Sequence, residues 1–476
     1  MVESDLAGLT IAELAGLVRG RAISPVEVVE ACLRRIERLQ PRVNAYTCVM
    51  ADQALRQAGD IERALMRGEP GGPLCGVPVS VKDVIETRDA PTTWGARALA
   101  GYRTDRDAPI VSRLRDAGAV LIAKANVDMY PADGSAEHPR LIGPTRNPWD
   151  LARSAGRSSG GSAAAVAARM DFGSIGSDTT GSIRGPAAWC GVVGMKPTFG
   201  LVSADGVMQY SRSFDVCGPI ARTAHDCALL LEAIAGRDLT RDADRGAPDY
   251  ARSVDGDVRG LRAGVPLGAD WRTNDPEVTA LVDEAVRVLG GLGVDQRPVD
   301  LPPLNDGLWA NVISTLETAD MVDAGVTEDG FRDVLTAYIW KRSSGARQRL
   351  IAQGAEIIAA VRGAYDDVFR TIDVIVTPTV ATVASLFTET VSAWQRPQEP
   401  FVEVLPRYTR PASLIGYPAI SFPCGLTAAG MPVGLQIIGR PFEEETLLKV
   451  AGGYERAAQW HPRAPALAQL TAVQSR

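Results

Sequence analysis

Residues 154–200 form the part of the sequence that most restricts the fold. This segment holds seven serines and ten glycines. Between the glycines, an alanine-rich pattern at 162–170 predicts a helix and an apolar pattern at 172–177 predicts a strand. A low-complexity tract would show no such alternation. We therefore expect ordered turns that join regular elements, and not a flexible linker.

Strand and helix patterns also alternate along the rest of the chain. Ser24 followed by Pro25 predicts the start of an amphipathic helix that continues to about Leu39. Short apolar runs predict strands at 76–82, 119–123, 261–266, 373–378, 419–424 and 433–439. This alternation predicts an α/β fold with one large mixed β-sheet that helices cover on both faces. No linker is evident, so we expect a single domain over 1–476, with a small helical subdomain near 240–370 left open.

Charge and hydropathy limit the partners that we expect. The 476 residues carry a net charge of −7, whereas phosphate binding needs a basic patch, so we expect no nucleic-acid partner. Residues 411–439 are uncharged but contain Pro418, Pro423 and Pro432, which excludes one spanning helix, and we expect no membrane association. No secretory signal follows Met1, so a cytoplasmic location is expected.

Few residues suit metal or thiol chemistry. The chain has three histidines and seven cysteines, and none of them stand at metal-ligand spacing. We therefore expect no metal and no other cofactor. So few histidines also offer few candidates for the base of a Ser-His-Asp triad. A hydrolase with this sequence is expected to use another base.

Several ordered motifs resemble the amidase signature family. The resemblance covers about residues 10–460, and its motifs are G-V-P-V-S-V-K-D at 76–83, N-P-W-D at 147–150, G-R-S-S-G-G-S at 156–162, G-S-D-T-T-G-S-I-R-G-P-A at 176–187, C-G-V-V-G-M-K-P-T at 190–198 and G-L-Q-I-I-G at 434–439. A single Ser/Gly run would be weak evidence. Several blocks in the family's order and spacing are strong evidence, and they imply the amidase signature fold.

The resemblance implies a triad of two serines and a lysine. Lys82 would be the base, Ser158 the bridging serine held by a cis peptide bond, and Ser182 the nucleophile. A lysine base must be neutral, so its pKa must fall by several units from about 10.4. The apolar run before Lys82 is expected to supply that burial.

The turn before the nucleophile is expected to form the oxyanion hole. Its donors would be the backbone N–H groups of Thr179, Thr180, Gly181 and Ser182. Asp178 is expected to accept backbone hydrogen bonds that hold this turn. Thr180 departs from the family, which has glycine there, so either its φ is negative or the oxyanion hole is altered.

Other residues bear on the substrate pocket. The resemblance implies that Met129, Tyr130, Pro131 and Trp94 line the acyl pocket. Arg157 replaces the second glycine that the family has before its first serine, which puts the substrate range in doubt more than the mechanism.

Three functions follow from these motifs. The resemblance implies an amidohydrolase that cleaves small or aromatic amides, and carbamates (urethanes) and esters by the same route, as a urethanase or aryl acylamidase would. Its partner would be a small-molecule amide or carbamate, and a homodimer is left open.

The alternative is the glutaminase subunit of a tRNA-dependent amidotransferase. Such subunits usually carry an acid two residues before the tyrosine equivalent to Tyr408, where this chain has Pro406. A third hypothesis is a catalytically inactive fold that binds a ligand, suggested by Arg157 and Thr180.

Overall fold

The central feature of the fold is one β-sheet. The structure is a computed structural model that describes residues 3–128, 140–236, 248–272, 275–307, 309–310, 313–314, 317, 344–387, 406–460 and 463–469. Within these ranges the sheet has eleven strands. They are β1 (Tyr46–Val49), β2 (Pro78–Lys82), β3 (Val120–Ala125), β4 (Gly173–Asp178), β5 (Val193–Lys196), β6 (Val216–Ala221), β7 (Arg262–Pro266), β8 (Asp295–Val299), β9 (Val374–Pro378), β10 (Ala419–Leu426) and β11 (Pro432–Gly439).

The strand order shows that the sheet is mixed. The order is β1-β3-β2-β4-β6-β5-β10-β11-β9-β7-β8. The pairs β2–β3, β2–β4, β7–β9 and β7–β8 are parallel, and the remaining neighbours are antiparallel. The predicted large mixed sheet is therefore confirmed. Strands β7 and β8, from the 240–370 region, belong to this same sheet, and the small subdomain there stays a prediction.

Helices connect and cover these strands. They are α1 (Glu3–Gly8), α2 (Ile11–Arg19), α3 (Pro25–Val43), α4 (Ala51–Met66), α5 (Pro109–Asp116), α6 (Gly160–Ala167), α7 (Arg184–Cys190), α8 (Ala224–Ile234), α9 (Tyr250–Ser253), α10 (Pro276–Gly291), α11 (Ser344–Phe369), α12 (Arg410–Ile415) and α13 (Glu444–Ala458). Every residue of β2, β3, β4, β5, β6, β9 and β11 is buried. Since successive strand residues point to opposite faces, both faces of the central sheet are covered.

The local signals at the N-terminus give the expected helices. Ser24 accepts backbone hydrogen bonds from Val26 and Glu27, and the Glu27 side chain accepts from the Ser24 N–H, so α3 begins with a capping box. The helix ends at Val43, one turn beyond the predicted end at Leu39. Among the described residues, no helix is both long enough and apolar enough to cross a membrane.

The topology brings two strand ends together. Strands β2 and β4 are parallel neighbours, with Val81 paired with Ile175. Their carboxyl ends, at Lys82 and Asp178, therefore meet at the same edge of the sheet. The residues that follow β4 form a turn that leads into α7 at Arg184. This edge carries the residues that the sequence singles out.

Candidate functional site

Lys82 lies buried at the end of β2 among hydroxyl groups. The residue is 1% exposed. Its Nζ atom is 2.5 Å from Ser158 Oγ and 2.8 Å from Ser177 Oγ. A longer contact of 3.5 Å joins Nζ to the Ser177 carbonyl oxygen. The structure thus places Lys82 and Ser158 in direct hydrogen-bond contact.

The surroundings of Lys82 favour its neutral form. Burial lowers the pKa of Lys82 to about 8, while the negative charges of Asp215 and Asp178 act in the opposite direction. A lysine with this pKa is partly neutral slightly above pH 7. The structure therefore supplies the desolvation that a lysine base needs.

Ser158 lies in a tightly packed turn between Gly156 and α6. Gly156 has φ of +104°, and a Cβ at this position would lie 2.8 Å from Pro186 Cα, so a side chain would be strained there. The Ser158 carbonyl accepts from the Asp128 N–H at 3.0 Å. Every described peptide bond is trans. The cis bond expected at Ser158 is therefore not seen in this structure.

The turn that carries Ser182 is held by Asp178. This carboxylate accepts from the N–H of Gly181 at 2.7 Å and of Ile183 at 3.2 Å, which confirms its predicted role. Positive φ falls on Gly181, at +135°, and not on Thr180, which answers the conformational question raised by Thr180. The Ser182 carbonyl accepts from the Ser159 N–H at 3.3 Å, so the turn that carries Ser182 lies directly against the 158–159 turn.

Arg184 joins this turn to the residue before α12 and to β11. Its guanidinium forms a buried ion pair with Asp178 at 2.9 Å and donates to the Thr409 carbonyl and to Gln436 Oε1. Arg184 and nearby charges keep the pKa of Asp178 below its usual value despite burial. These contacts give Arg184 a structural role in holding the turn.

The predicted set of oxyanion donors needs one correction. The Gly181 N–H donates to Asp178 and is therefore not directed at an oxyanion in this structure. In the described part of the chain, the N–H groups of Thr179, Thr180 and Ser182 have no protein acceptor. Their role as oxyanion donors stays a prediction.

The predicted pocket residues are only partly described. Met129, Tyr130 and Pro131 lie outside the described residues. Trp94 is 3% exposed, and its backbone N–H donates to the Asp83 carbonyl at 2.8 Å. Its place in an acyl pocket stays a prediction.

Arg157 brings a cation next to Ser158. Burial lowers the pKa of its guanidinium to about 10, and the attraction of Asp128 opposes that shift. Asp128 thus forms an ion pair with Arg140 and also attracts the Arg157 guanidinium. Among the described residues, no three His, Cys, Asp or Glu side chains cluster as metal ligands would.

Sequence reasoning missed three residues that contact this site. Ser177 binds Lys82, Asp215 accepts from Thr179 Oγ1 at 2.5 Å, and Thr409 Oγ1 donates to the Thr180 carbonyl at 2.6 Å. Ser177 could have been found, because it ends the predicted strand that runs beside Lys82. Asp215 and Thr409 gave no local signal, since their partners are distant in the sequence.

Three comparisons identify similar proteins. A family model described as Amidase matches residues 27–448. A glutamyl-tRNA(Gln) amidotransferase subunit of Moorella thermoacetica is 39% identical, over 97% of this chain and 99% of that protein. The solved structure of the same subunit from Thermotoga maritima is 31% identical with a TM-score of 0.79, over 95% of each chain. A bacterial aryl acylamidase of the amidase signature family is 26% identical with a TM-score of 0.82, over 95% of this chain and 96% of that chain.

These relatives correct one expectation drawn from charge. Three relatives, 37–39% identical over 96–97% of this chain, carry a tRNA in their names. The prediction that the chain has no nucleic-acid partner is therefore wrong, because the net charge does not exclude one. A net charge of −7 describes the whole chain, and it says nothing about one surface or about partner subunits.

Proposed function

Because this chain belongs to the amidase signature family, we propose that it hydrolyses amide C–N bonds through an acyl-enzyme formed on Ser182. The observation that carries this proposal is the 2.5 Å contact between Lys82 Nζ and Ser158 Oγ, beside the turn that presents Ser182. A buried lysine with a lowered pKa and two serines form a nucleophile with its own base.

The proposed reaction has two half-reactions. Neutral Lys82 accepts the Ser158 hydroxyl proton while Ser158 accepts the proton of Ser182, whose Oγ attacks the amide carbonyl carbon. Backbone N–H groups of Thr179, Thr180 and Ser182 stabilise the oxyanion. The relay then returns the proton to the departing nitrogen, the C–N bond breaks, and an ester remains on Ser182. Water, deprotonated by the same relay, releases the carboxylic acid and restores the enzyme.

The names of the sequence relatives favour glutamine as the first candidate substrate. Three relatives that are 37–39% identical are named as subunits of an amidotransferase for glutamyl-tRNA(Gln). As such a subunit, this chain would hydrolyse the side-chain amide of glutamine and release ammonia for a reaction carried out with partner subunits. This function is better supported by the relatives than hydrolysis of small amides by the chain alone.

One observation favours a second candidate, the hydrolysis of small or aromatic amides by the chain alone. Pro406 stands where the amidotransferase subunits usually carry an acid for the α-amino group of glutamine. Its carbonyl accepts from the N–H groups of Thr409 and Arg410, at 3.2 and 2.9 Å, so this position forms a turn that leads into α12. Proline has no carboxylate with which to hold an ammonium group. Aryl carbamates and esters would share the route, because they form the same tetrahedral intermediate.

A hydrolysis screen tests both candidates. Purified wild-type protein and Ser182→Ala would be assayed with glutamine, p-nitroanilides, aryl carbamates and primary aliphatic amides. Turnover that disappears in Ser182→Ala supports the amidase proposal. Glutamine turnover alone supports the amidotransferase function, and anilide or carbamate turnover supports the second candidate. Stoichiometric ligand binding without turnover of any substrate would contradict the proposal and support the inactive fold.

A further inference from the structure

Asp215 joins two segments that border the site. It is 6% exposed and directly precedes β6. Its Oδ1 accepts from Thr179 Oγ1 at 2.5 Å, and its Oδ2 accepts from the Tyr210 N–H at 2.6 Å. Its own N–H donates to the Ser211 carbonyl at 3.0 Å. The carboxylate therefore ties the turn after β4 to the loop before β6.

The register of β4 and β6 brings this carboxylate near Lys82. Asp178 pairs with Val216, and Ser177, which binds Lys82, pairs with Cys217. Asp215 is next in line at the end of the same ladder. Among the charges that act on Lys82, Asp215 is the largest influence that favours the protonated lysine.

We propose that Asp215 is a positioning residue for the amidase reaction, which holds the Thr179 turn and balances the charge of Lys82. The part of this inference that concerns rates rests on the proposed function. The part that concerns the Lys82 charge does not, because it can be measured without a substrate.

The other charged groups around Lys82 are already compensated or neutral. Asp178 is paired with Arg184 at 2.9 Å and is also attracted by Lys196. Burial raises the pKa of Cys217 to about 12, so its thiol is uncharged near neutral pH. Burial likewise raises the pKa of Asp215 to about 6, and Lys82 is the cation that opposes this rise. Lys82 and Asp215 therefore act on each other as opposite charges.

The small number of lysines makes a direct measurement practical. The chain has five lysines, so lysine labelled with ¹³C at Cε gives few NMR signals, and Lys82→Met assigns the signal of interest. Asp215→Asn removes the charge and retains an oxygen for the Thr179 hydroxyl. We expect the titration midpoint of Lys82 to fall by about one pH unit. The midpoints of the buried Lys124 and Lys196 should stay within a few tenths of a unit and serve as internal controls.

Thr179→Val separates the effect of the Thr179–Asp215 hydrogen bond from the effect of the Asp215 charge. It removes the hydroxyl that donates to Asp215 but leaves the carboxylate, so the Lys82 midpoint should stay within a few tenths of a pH unit of wild type. In the assay, Thr179→Val should lower kcat without moving the acid limb of kcat/KM, and Thr179→Ser should restore the rate. Asp215→Asn should move that limb to lower pH.

Each outcome decides a different claim. An unmoved Lys82 midpoint in folded Asp215→Asn would overturn the inference, whether or not the enzyme is active. Absence of Ser182-dependent turnover in the wild type would instead count against the proposed function, while the NMR result would still stand. If Asp215→Asn does not fold, Lys82→Met supplies the reciprocal test with aspartate labelled at Cγ. Loss of the cation should raise the Asp215 midpoint, and no change would overturn the inference.

Discussion

Two buried lysines on neighbouring strands differ in the role that we propose for them, a base at Lys82 and a structural cation at Lys124. In the β2–β3 ladder, Lys82 pairs with Ala125 and Val81 pairs with Lys124. The two lysine side chains therefore point to opposite faces of the sheet. Lys82 is 1% exposed and Lys124 is 0% exposed. Burial is the largest cause that lowers each pKa, to about 8 in both cases.

Their partners differ although their burial does not. Lys82 Nζ contacts two serine hydroxyls, which can give up or take a proton. Lys124 Nζ lies 3.5 Å from Asp83 and donates to the Ile85 carbonyl and Thr92 Oγ1, at 2.5 and 2.8 Å. These acceptors stabilise a charged ammonium. Burial alone therefore does not identify a base, and the kind of partner does.

The largest expected effect is on activity at Lys82. Lys82→Ala should lower kcat/KM by about 10³-fold or more, because the serine relay loses its proton acceptor. The unfolding midpoint in urea should stay near that of wild type or rise, since a desolvated amine is removed. Ser158→Ala should cause a loss of similar size, and the double variant should be little worse than either. Near-wild-type turnover in Lys82→Ala would end its assignment as the base.

At Lys124 the large effect is expected on stability. Lys124→Met leaves Asp83 buried without its cation, which should lower the free energy of unfolding by about 3–5 kcal/mol. The folded fraction should retain kcat/KM within about tenfold of wild type. Urea denaturation measures the loss, and Asp83→Asn combined with Lys124→Met should recover part of it. A kcat/KM loss as large as that of Lys82→Ala, in folded protein, would erase the distinction.

The third expected effect is a pH dependence of kcat/KM that the ionisation of Lys82 causes. Its pKa of about 8 means that the lysine is protonated at lower pH and cannot accept the serine proton. We expect kcat/KM to fall about tenfold for each pH unit below about 8. The profile should keep its midpoint in folded Lys124→Met. A flat profile between about pH 5 and 9 would contradict a lysine base.

The smallest effects come from a matched pair of hydroxyl deletions. Ser177→Ala removes one partner of Lys82, and Thr92→Val removes one partner of Lys124. We expect Ser177→Ala to lower kcat/KM by up to about tenfold, and Thr92→Val to lower the free energy of unfolding by about 1 kcal/mol with no change in rate. Exchanged results, with the rate sensitive at Thr92, would reverse the comparison.

Local chemistry made much of the fold predictable. The Ser24 side chain caps the N–H groups of the next turn, and the predicted helix begins at the following residue. The strand predicted at 172–177 is observed as Gly173–Asp178, and the strand expected to end at Lys82 does end there. Each of these signals acts within a few residues, so it can be read from the sequence.

The charge of the chain was the least informative signal. A net value of −7 averages over 476 residues. It led to the exclusion of nucleic acid, which relatives named for glutamyl-tRNA(Gln) contradict. Net charge describes long-range attraction, whereas recognition depends on local surfaces and on other subunits.

The sequence by itself determined the elements, the family and the identity of Lys82, Ser158 and Ser182 as candidates. Tertiary structure alone decided which groups surround them. Thr179 and Asp215 are 36 residues apart, and Thr180 and Thr409 are 229 residues apart. The lowered pKa of Lys82 arises from burial, which charges on β4 and before β6 oppose. Caps and turns depend on neighbours along the chain, but desolvation and electrostatic coupling act through space and exist only once the sheet has formed.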